Sequence, residues 1–211
     1  MKELLKQMLP QQLWNILKTA FQKKQYREWL NNGRPVPPPH LVKQLRIRKY
    51  SEMYGIKMLV ETGTFLGDMV EAQKKYFDLV YSIELSRELY EKAHARFKND
   101  KNVKIVQGDS GKVLFELIKE IKRPAVFWLD GHYSAGETAR GEKECPIFEE
   151  LEAIFGGKAL EHVILIDDAR LFVGKGDYPT IDDLGRFVKS KNPKYNLLVE
   201  DDAICFIPMK D

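Results

Sequence analysis

The chain has 211 residues, 44% hydrophobic and 31% charged, with a formal net charge of +3. That length suits one domain with an appendage, and the composition excludes a disordered or collagen-like chain. No apolar run reaches the roughly 18 residues of a membrane span, and no charged segment leads into an apolar one with a cleavage site; two cysteines, Cys145 and Cys205, make neither a disulfide framework nor a cysteine zinc site. A reducing cytoplasm is the expected setting.

Residues 1–30 read as helix, with Leu4, Leu5, Met8, Leu9, Leu13, Ile16, Leu17, Ala20 and Phe21 at helical spacing and Lys18, Lys23, Lys24 and Arg27 on the polar side. Pro10 divides a short first helix from a longer second one. Residues 31–39, Asn-Asn-Gly-Arg-Pro-Val-Pro-Pro-Pro, read as an extended linker. The expected organisation is an appendage over 1–39 and a main domain over 40–211. Residues 1–60 hold twelve Lys and Arg against three Asp and Glu, so a basic segment precedes an acidic body. Such a segment is either a solvated helix face or a surface for an anionic partner.

The main domain opens with a helix over 41–54 and then alternates. Strands are expected at 58–61, 79–84, 103–106, 125–130 and 163–167, and helices up to about Tyr76 and over 86–97, 110–121, 146–155 and 180–189. Ser86 is a candidate cap. Apolar strands alternating with helices indicate a parallel sheet covered on both faces. The end differs: 195–199 and 203–207 flank Glu200-Asp201-Asp202, a hairpin turn. The expected fold is α/β, a doubly wound, mostly parallel seven-stranded sheet ending in an antiparallel hairpin.

Three strand ends carry chemistry. The first is Glu61-Thr62-Gly63-Thr64-Phe65-Leu66-Gly67, whose glycines let backbone approach a ligand. Its Glu-x-Gly-x-x-x-Gly spacing differs from the dinucleotide Gly-x-Gly-x-x-Gly; an acid here repels pyrophosphate but can hold an ammonium. The second ends in Glu84-Leu85, where a carboxylate can accept both hydroxyls of a ribose. The third leads to Gly108-Asp109-Ser110, where a short acid can meet an adenine amino group. Each alone is more often a cap or a surface acid. Their succession at the sheet edge where α/β ligands bind favours a nucleoside site.

With these residues in place, the chain resembles the class I S-adenosylmethionine-dependent methyltransferases over about residues 56–208. The resemblance implies S-adenosylmethionine as cofactor. Glu61, Gly63, Thr64 and Gly67 would face its methionine part, Glu84 and Leu85 its ribose, and Asp109 and Ser110 its adenine, with Asp130 bordering the transferred methyl. Asp130-Gly131-His132 and Asp167-Asp168 close the fourth and fifth strands, so three carboxylates can converge, an oxygen set suited to Mg²⁺ or another divalent cation. This is similar to the metal-dependent O-methyltransferases of catechol and sugar type. Some sugar enzymes have an Asp as general base where this chain has His132, a residue able to take a proton near neutral pH. The competing reading makes Asp167-Asp168 a turn cap, as at 182–183 and 201–202, and His132 structural.

Residues 131–146 form a long polar loop of the kind that makes lids, and Arg170, Lys175 and Tyr178 can join the same pocket. The expected activity is O-methylation of a small polar acceptor such as a sugar or glycan precursor, with Asp130 and His132 at the reacting centre. The alternatives are a metal-independent N- or carboxyl-methyltransferase and a non-catalytic nucleoside-binding module; NAD chemistry is disfavoured by the glycine spacing. The basic N-terminal helices cap the site, pair two copies in a homodimer, or, least favoured, contact an anionic membrane surface. Nucleic acid is not an expected partner.

Overall fold

The computed structural model describes residues 11–131 and 145–209. Two helices, α1 (Gln11–Asn31) and α2 (His40–Tyr54), precede β1 (Met58–Thr62). Then follow α3 (Asp68–Gln73), β2 (Leu79–Glu84), α4 (Arg87–Phe97), β3 (Val103–Gln107), α5 (Ser110–Glu120) and β4 (Val126–Leu129). The second half contains α6 (Ile147–Gly156), β5 (Val163–Ile166), a 3-10 turn (Ala169–Leu171), β6 (Val173–Lys175), β7 (Tyr178–Thr180), α7 (Ile181–Lys191), β8 (Tyr195–Glu200) and β9 (Ala203–Pro208).

Seven strands form one sheet in the order β3-β2-β1-β4-β5-β9-β8. β1 to β5 are parallel, and β9 runs antiparallel between β5 and β8. The doubly wound sheet with a terminal hairpin is as expected. Successive connections leave β1 and β4 in opposite directions, so a crevice opens between their carboxyl ends.

Period-two alternation sorts the core into two faces. Val60, Ile83, Phe127, Leu129 and Ile164 pack against Leu114, Leu151 and Leu184 of α5, α6 and α7. Leu59, Val80, Val126, Trp128 and Leu165 pack against Ile47 and Tyr50 of α2, Val70 of α3 and Phe97 of α4. All four side chains of β4 are buried, contributing about 8 kcal/mol before entropy is counted. The central strand therefore holds the crevice edge rigidly.

Three segments depart from the sequence reading. The proline segment does not start extended: Gly33 and Arg34 adopt left-handed φ values of +78° and +58°, and the Arg34 N–H bonds the Trp29 carbonyl at 2.9 Å. The Trp29 indole, 6% exposed, donates to the Pro35 carbonyl at 2.8 Å, so the turn folds back on the helix end. The helix after β1 stops at Gln73 rather than near Tyr76, where the Tyr76 N–H closes a tight turn on the Gln73 carbonyl. The 3-10 turn and the β6–β7 hairpin were not expected, because three-residue strands with exposed or half-exposed side chains carry no readable period. Elsewhere local chemistry explains the boundaries. Ser86 caps α4, Thr180 and Asp183 form a capping box on α7, and Asp201 and Asp202 turn the last hairpin.

Candidate active site

Glu61, the next-to-last residue of β1, is 2% exposed and accepts a 2.5 Å hydrogen bond from Ser82 Oγ. Burial pushes its carboxyl up to about 8; the Ser82 hydrogen bond opposes this and the nearby Glu84 adds to it. Ser82 Oγ also lies 2.6 Å from Thr64 Oγ1, tying β1 and β2 together. The Gly63 and Thr64 N–H groups both donate to the Ile83 carbonyl, at 2.9 and 3.2 Å. Gly63 has φ +82°, and a Cβ there would lie 2.4 Å from the Asp130 carbonyl oxygen. Only glycine lets the β1 turn approach the end of β4 this closely. Gly67, at φ +75°, caps α3, and a Cβ there would strike the Phe97 ring at 2.6 Å.

Glu84 bridges two loops. One carboxylate oxygen accepts from the Phe65 N–H at 2.7 Å and the other from the Ser86 N–H at 2.9 Å. A carboxylate offers about four acceptor positions, so two remain, enough for a vicinal diol. The Leu85 carbonyl accepts from Gln107 Nε2 at 3.1 Å, and the Gly108 N–H donates to the Glu84 carbonyl at 2.9 Å, which draws the β3 turn alongside. Asp109 does serve as a cap, accepting from the Gly111 N–H at 3.0 Å at the start of α5. Glu61, Glu84 and Asp109 thus lie at or just after the carboxyl ends of three adjacent strands, a set of acceptors that could hold the hydroxyls and ammonium of a nucleoside with an amino-acid tail.

The ends of β4 and β5 close the other side. The Asp130 N–H bonds Thr62 through both its carbonyl and Oγ1, each at 3.2 Å. Thr62 Oγ1, Ser110 Oγ and Glu150 Oε1 all lie within 3.1 Å of where a Cβ on Gly131 would stand. Ser110 Oγ donates to Glu150 Oε1 at 2.6 Å, and Glu150 is itself buried. Asp167, 1% exposed, and Asp168, in the left-handed region at φ +56°, follow β5.

Two of the carboxylates expected to hold a metal, Asp167 and Asp168, are paired with cations of the chain itself. Lys43, in the first turn of α2, donates its ammonium to Asp167 Oδ2 in a short ion pair and lies 3.5 Å from Asp168 Oδ1. Arg170 Nη1 takes the same Asp168 oxygen at 2.8 Å. A divalent cation needs carboxylate lone pairs at about 2.0–2.6 Å, and here Asp167 Oδ2 and Asp168 Oδ1 face N–H donors. Among the described residues no group of three or more His, Cys, Asp or Glu is arranged to hold a metal ion. The set Asp130, Asp167 and Asp168 does not fit a metal as it stands. Burial works against the Lys43 charge, but Asp167, Asp130 and Asp168 together hold its ammonium above the usual lysine range.

Arg170 also departs from expectation. It pairs with Asp168 and, closely, with Asp202 in the last hairpin turn, so it fastens that turn rather than reaching for an acceptor. Lys175 and Tyr178 pair across the β6–β7 hairpin. His132, with Tyr133 and the remainder of that loop to residue 144, lies outside the described residues. His162 is a core residue: Nδ1 accepts from the Ala125 N–H at 3.1 Å, and burial pushes its pKa down to about 4.

Sequence reasoning missed Lys43, Ser82 and Glu150. Lys43 reads as one of several lysines on an amphipathic helix, Ser82 as a small residue within a strand, and Glu150 as one of two consecutive glutamates. Only the pairing of strands and helices in space distinguishes them. Lys18 of α1 likewise pairs with Asp68 at 3.1 Å, which brings the basic helix beside the glycine turn.

No protein-family model matches the chain, and no curated protein matches it in sequence. Solved structures do share its fold. The O-methyltransferase TomG from Streptomyces achromogenes, in complex with S-adenosylmethionine, aligns over 96% of this chain and 100% of its own at 16% identity, with a TM-score of 0.58. An O-methyltransferase from Bacillus cereus, in complex with S-adenosylhomocysteine, aligns over 90% and 91% at 14% identity and a TM-score of 0.58. The Podospora anserina methyltransferase PaMTH1, bound to S-adenosylhomocysteine, aligns over 97% and 99% at 14% identity and a TM-score of 0.56. At these identities the likeness establishes the fold alone, which this chain shares with those methyltransferases. No helix among the described residues is long and apolar enough to cross a membrane.

Proposed function

We propose that the protein is an S-adenosylmethionine-dependent O-methyltransferase acting on a hydroxyl of a small polar acceptor, with a sugar or glycan precursor first among candidates. One observation supports this most: Glu61, Glu84 and Asp109 line up at adjacent strand ends around the Gly63 turn, in a fold whose solved examples bind this cofactor. In this reading Glu84 takes the ribose hydroxyls, with Leu85 beside them. Asp109 and Ser110 face the adenine, and Glu61 with Gly63, Thr64 and Gly67 holds the methionine part.

The cofactor, when bound, supplies a methyl group on a sulfonium. His132 would take the proton of the acceptor hydroxyl, while the bound cofactor would supply the electrophilic methyl carbon and a thioether leaving group. Asp130, just after β4, would border the methyl-transfer end of the site. The chain's main contribution is to hold the two reactants in line. Divalent-metal assistance is left out, because Lys43 and Arg170 already engage Asp167 and Asp168. The exposed Ile16, Leu17 and Phe21 of α1 are the surface this reading assigns to a homodimer.

The test is transfer of a labelled methyl group from S-adenosylmethionine to a panel of sugars, phenols, amines and carboxylic acids. Label on a sugar or other hydroxyl oxygen upholds the proposal. Label only on nitrogen or carboxylate replaces it with the alternative methyl transfer, and tight cofactor binding without transfer replaces it with a non-catalytic module.

A further inference from the structure

We infer that Lys43 is the resident cation of the acceptor end of this site, standing where a divalent metal would bridge the carboxylates after β4 and β5, so that methyl transfer runs without a metal. The inference rests on the methyltransferase reading above and adds the group that governs the acceptor side.

Three observations carry it. The Lys43 ammonium contacts both acids of the β5 end, Asp167 and Asp168. Asp167 is 1% exposed, and its second oxygen, Oδ1, has no hydrogen-bond partner among the described residues, so it depends on Lys43 for compensation. Finally, α2 is fixed independently of the site. Ile47 and Tyr50 are buried against the sheet, and Arg46, also buried, pairs with Asp201 at 3.3 Å. The helix therefore delivers Lys43 to the acids as part of the fold.

A metal would have to displace an ammonium from a buried carboxylate and leave that ammonium without its partner. An ammonium has three donors, and two are used on the acids. The third remains for an acceptor oxygen, and the Lys43 side chain is 17% exposed, within reach of a bound molecule. A fixed positive charge beside the attacking oxygen stabilises the charge it carries as its proton leaves, the service a metal provides elsewhere.

The experiment measures Mn²⁺ binding by electron paramagnetic resonance and S-adenosylhomocysteine binding by calorimetry on the full chain, wild type, Lys43→Met and Lys43→Arg. The expected wild-type Mn²⁺ dissociation constant is above about 1 mM, with Lys43→Arg alike. Lys43→Met frees Asp167, with Asp168 still held by Arg170, and binds Mn²⁺ roughly tenfold more tightly or better, while affinity for S-adenosylhomocysteine stays within about twofold throughout. Micromolar Mn²⁺ binding by the wild type overturns the inference, as does a Lys43→Met protein that binds Mn²⁺ no better than wild type. Should Lys43→Met not fold, the wild-type and Lys43→Arg titrations decide alone. A wild type that fails to bind S-adenosylhomocysteine is a separate result: it removes the methyltransferase reading and the inference with it.

Discussion

Replacing Glu61 with Gln isolates the electrostatic cost of the cofactor turn. The Glu61 carboxyl titrates near 8 in the fold against 4.5 in the unfolded chain, chiefly because it is fully buried. A raised carboxyl pKa means the unfolded chain ionises first, so stability falls as pH climbs from 4.5 to 8 and levels off above. Linkage puts the loss at about 1 kcal/mol at pH 5 and about 3 kcal/mol at pH 7. Glutamine keeps the shape and cannot ionise, but its amide fits the Ser82 hydroxyl less well, a pH-independent cost. The difference in stability between variant and wild type should therefore shift in favour of the variant by about 2.5 kcal/mol from pH 5 to pH 7. In a chain of this size that is about 5–10 °C in relative melting temperature. Urea unfolding of both proteins at the two pH values measures it. Parallel pH dependences in the two proteins would refute the argument. The same site predicts that wild-type affinity for S-adenosylhomocysteine rises with pH towards 8, as Glu61 ionises to meet the ligand's ammonium, and that Glu61→Gln binds weakly with no such rise.

Other residues give sharper single readouts. Gly63→Ala places a methyl group 2.4 Å from the Asp130 carbonyl at φ +82°, so it should destabilise by about 2 kcal/mol in thermal unfolding and weaken cofactor binding. Glu84→Ala leaves the Phe65 and Ser86 N–H groups without their acceptor and removes the ribose contact; calorimetry should show affinity for S-adenosylhomocysteine lower by roughly a hundredfold. His162, with its pKa down at about 4, refuses a proton that the unfolded chain accepts from 6.5 downwards. Stability is thus lost as pH falls between those values, by up to about 3 kcal/mol, and His162→Gln should flatten that acid limb in urea titrations. Asp202→Ala removes partners of Arg170, its backbone N–H included, and should lower stability by about 2 kcal/mol without preventing cofactor binding.

The sheet was legible because its strands are short, apolar and punctuated by caps. Val126–Leu129 and Val163–Ile166 must be buried on both sides, and Ser86 and Asp109 mark where helices begin. The Glu61, Glu84 and Asp109 positions were legible for a related reason: a carboxylate at the carboxyl end of a parallel strand has a fixed place. The acidic pair Asp167-Asp168 could be seen, but its partner could not. Lys43 lies 124 residues away, on a helix whose lysines look alike in sequence, and only the packing of α2 on the sheet brings it there. Arg170 was misassigned for the same reason, since its pairing with Asp202 requires β9 to lie beside β5. The exposed apolar residues of α1 had the spacing of a core stripe, yet Ile16 and Phe21 face outward in this chain, which helical periodicity alone does not reveal.

Calorimetric titration of the wild-type protein with S-adenosylhomocysteine, in the presence of a chelator and with NAD as the control ligand, tests the central claim most directly. Micromolar binding of S-adenosylhomocysteine and no binding of NAD is the result the Glu61–Glu84–Asp109 edge predicts. Absence of S-adenosylhomocysteine binding, in a protein whose melting curve shows it folded, would contradict it.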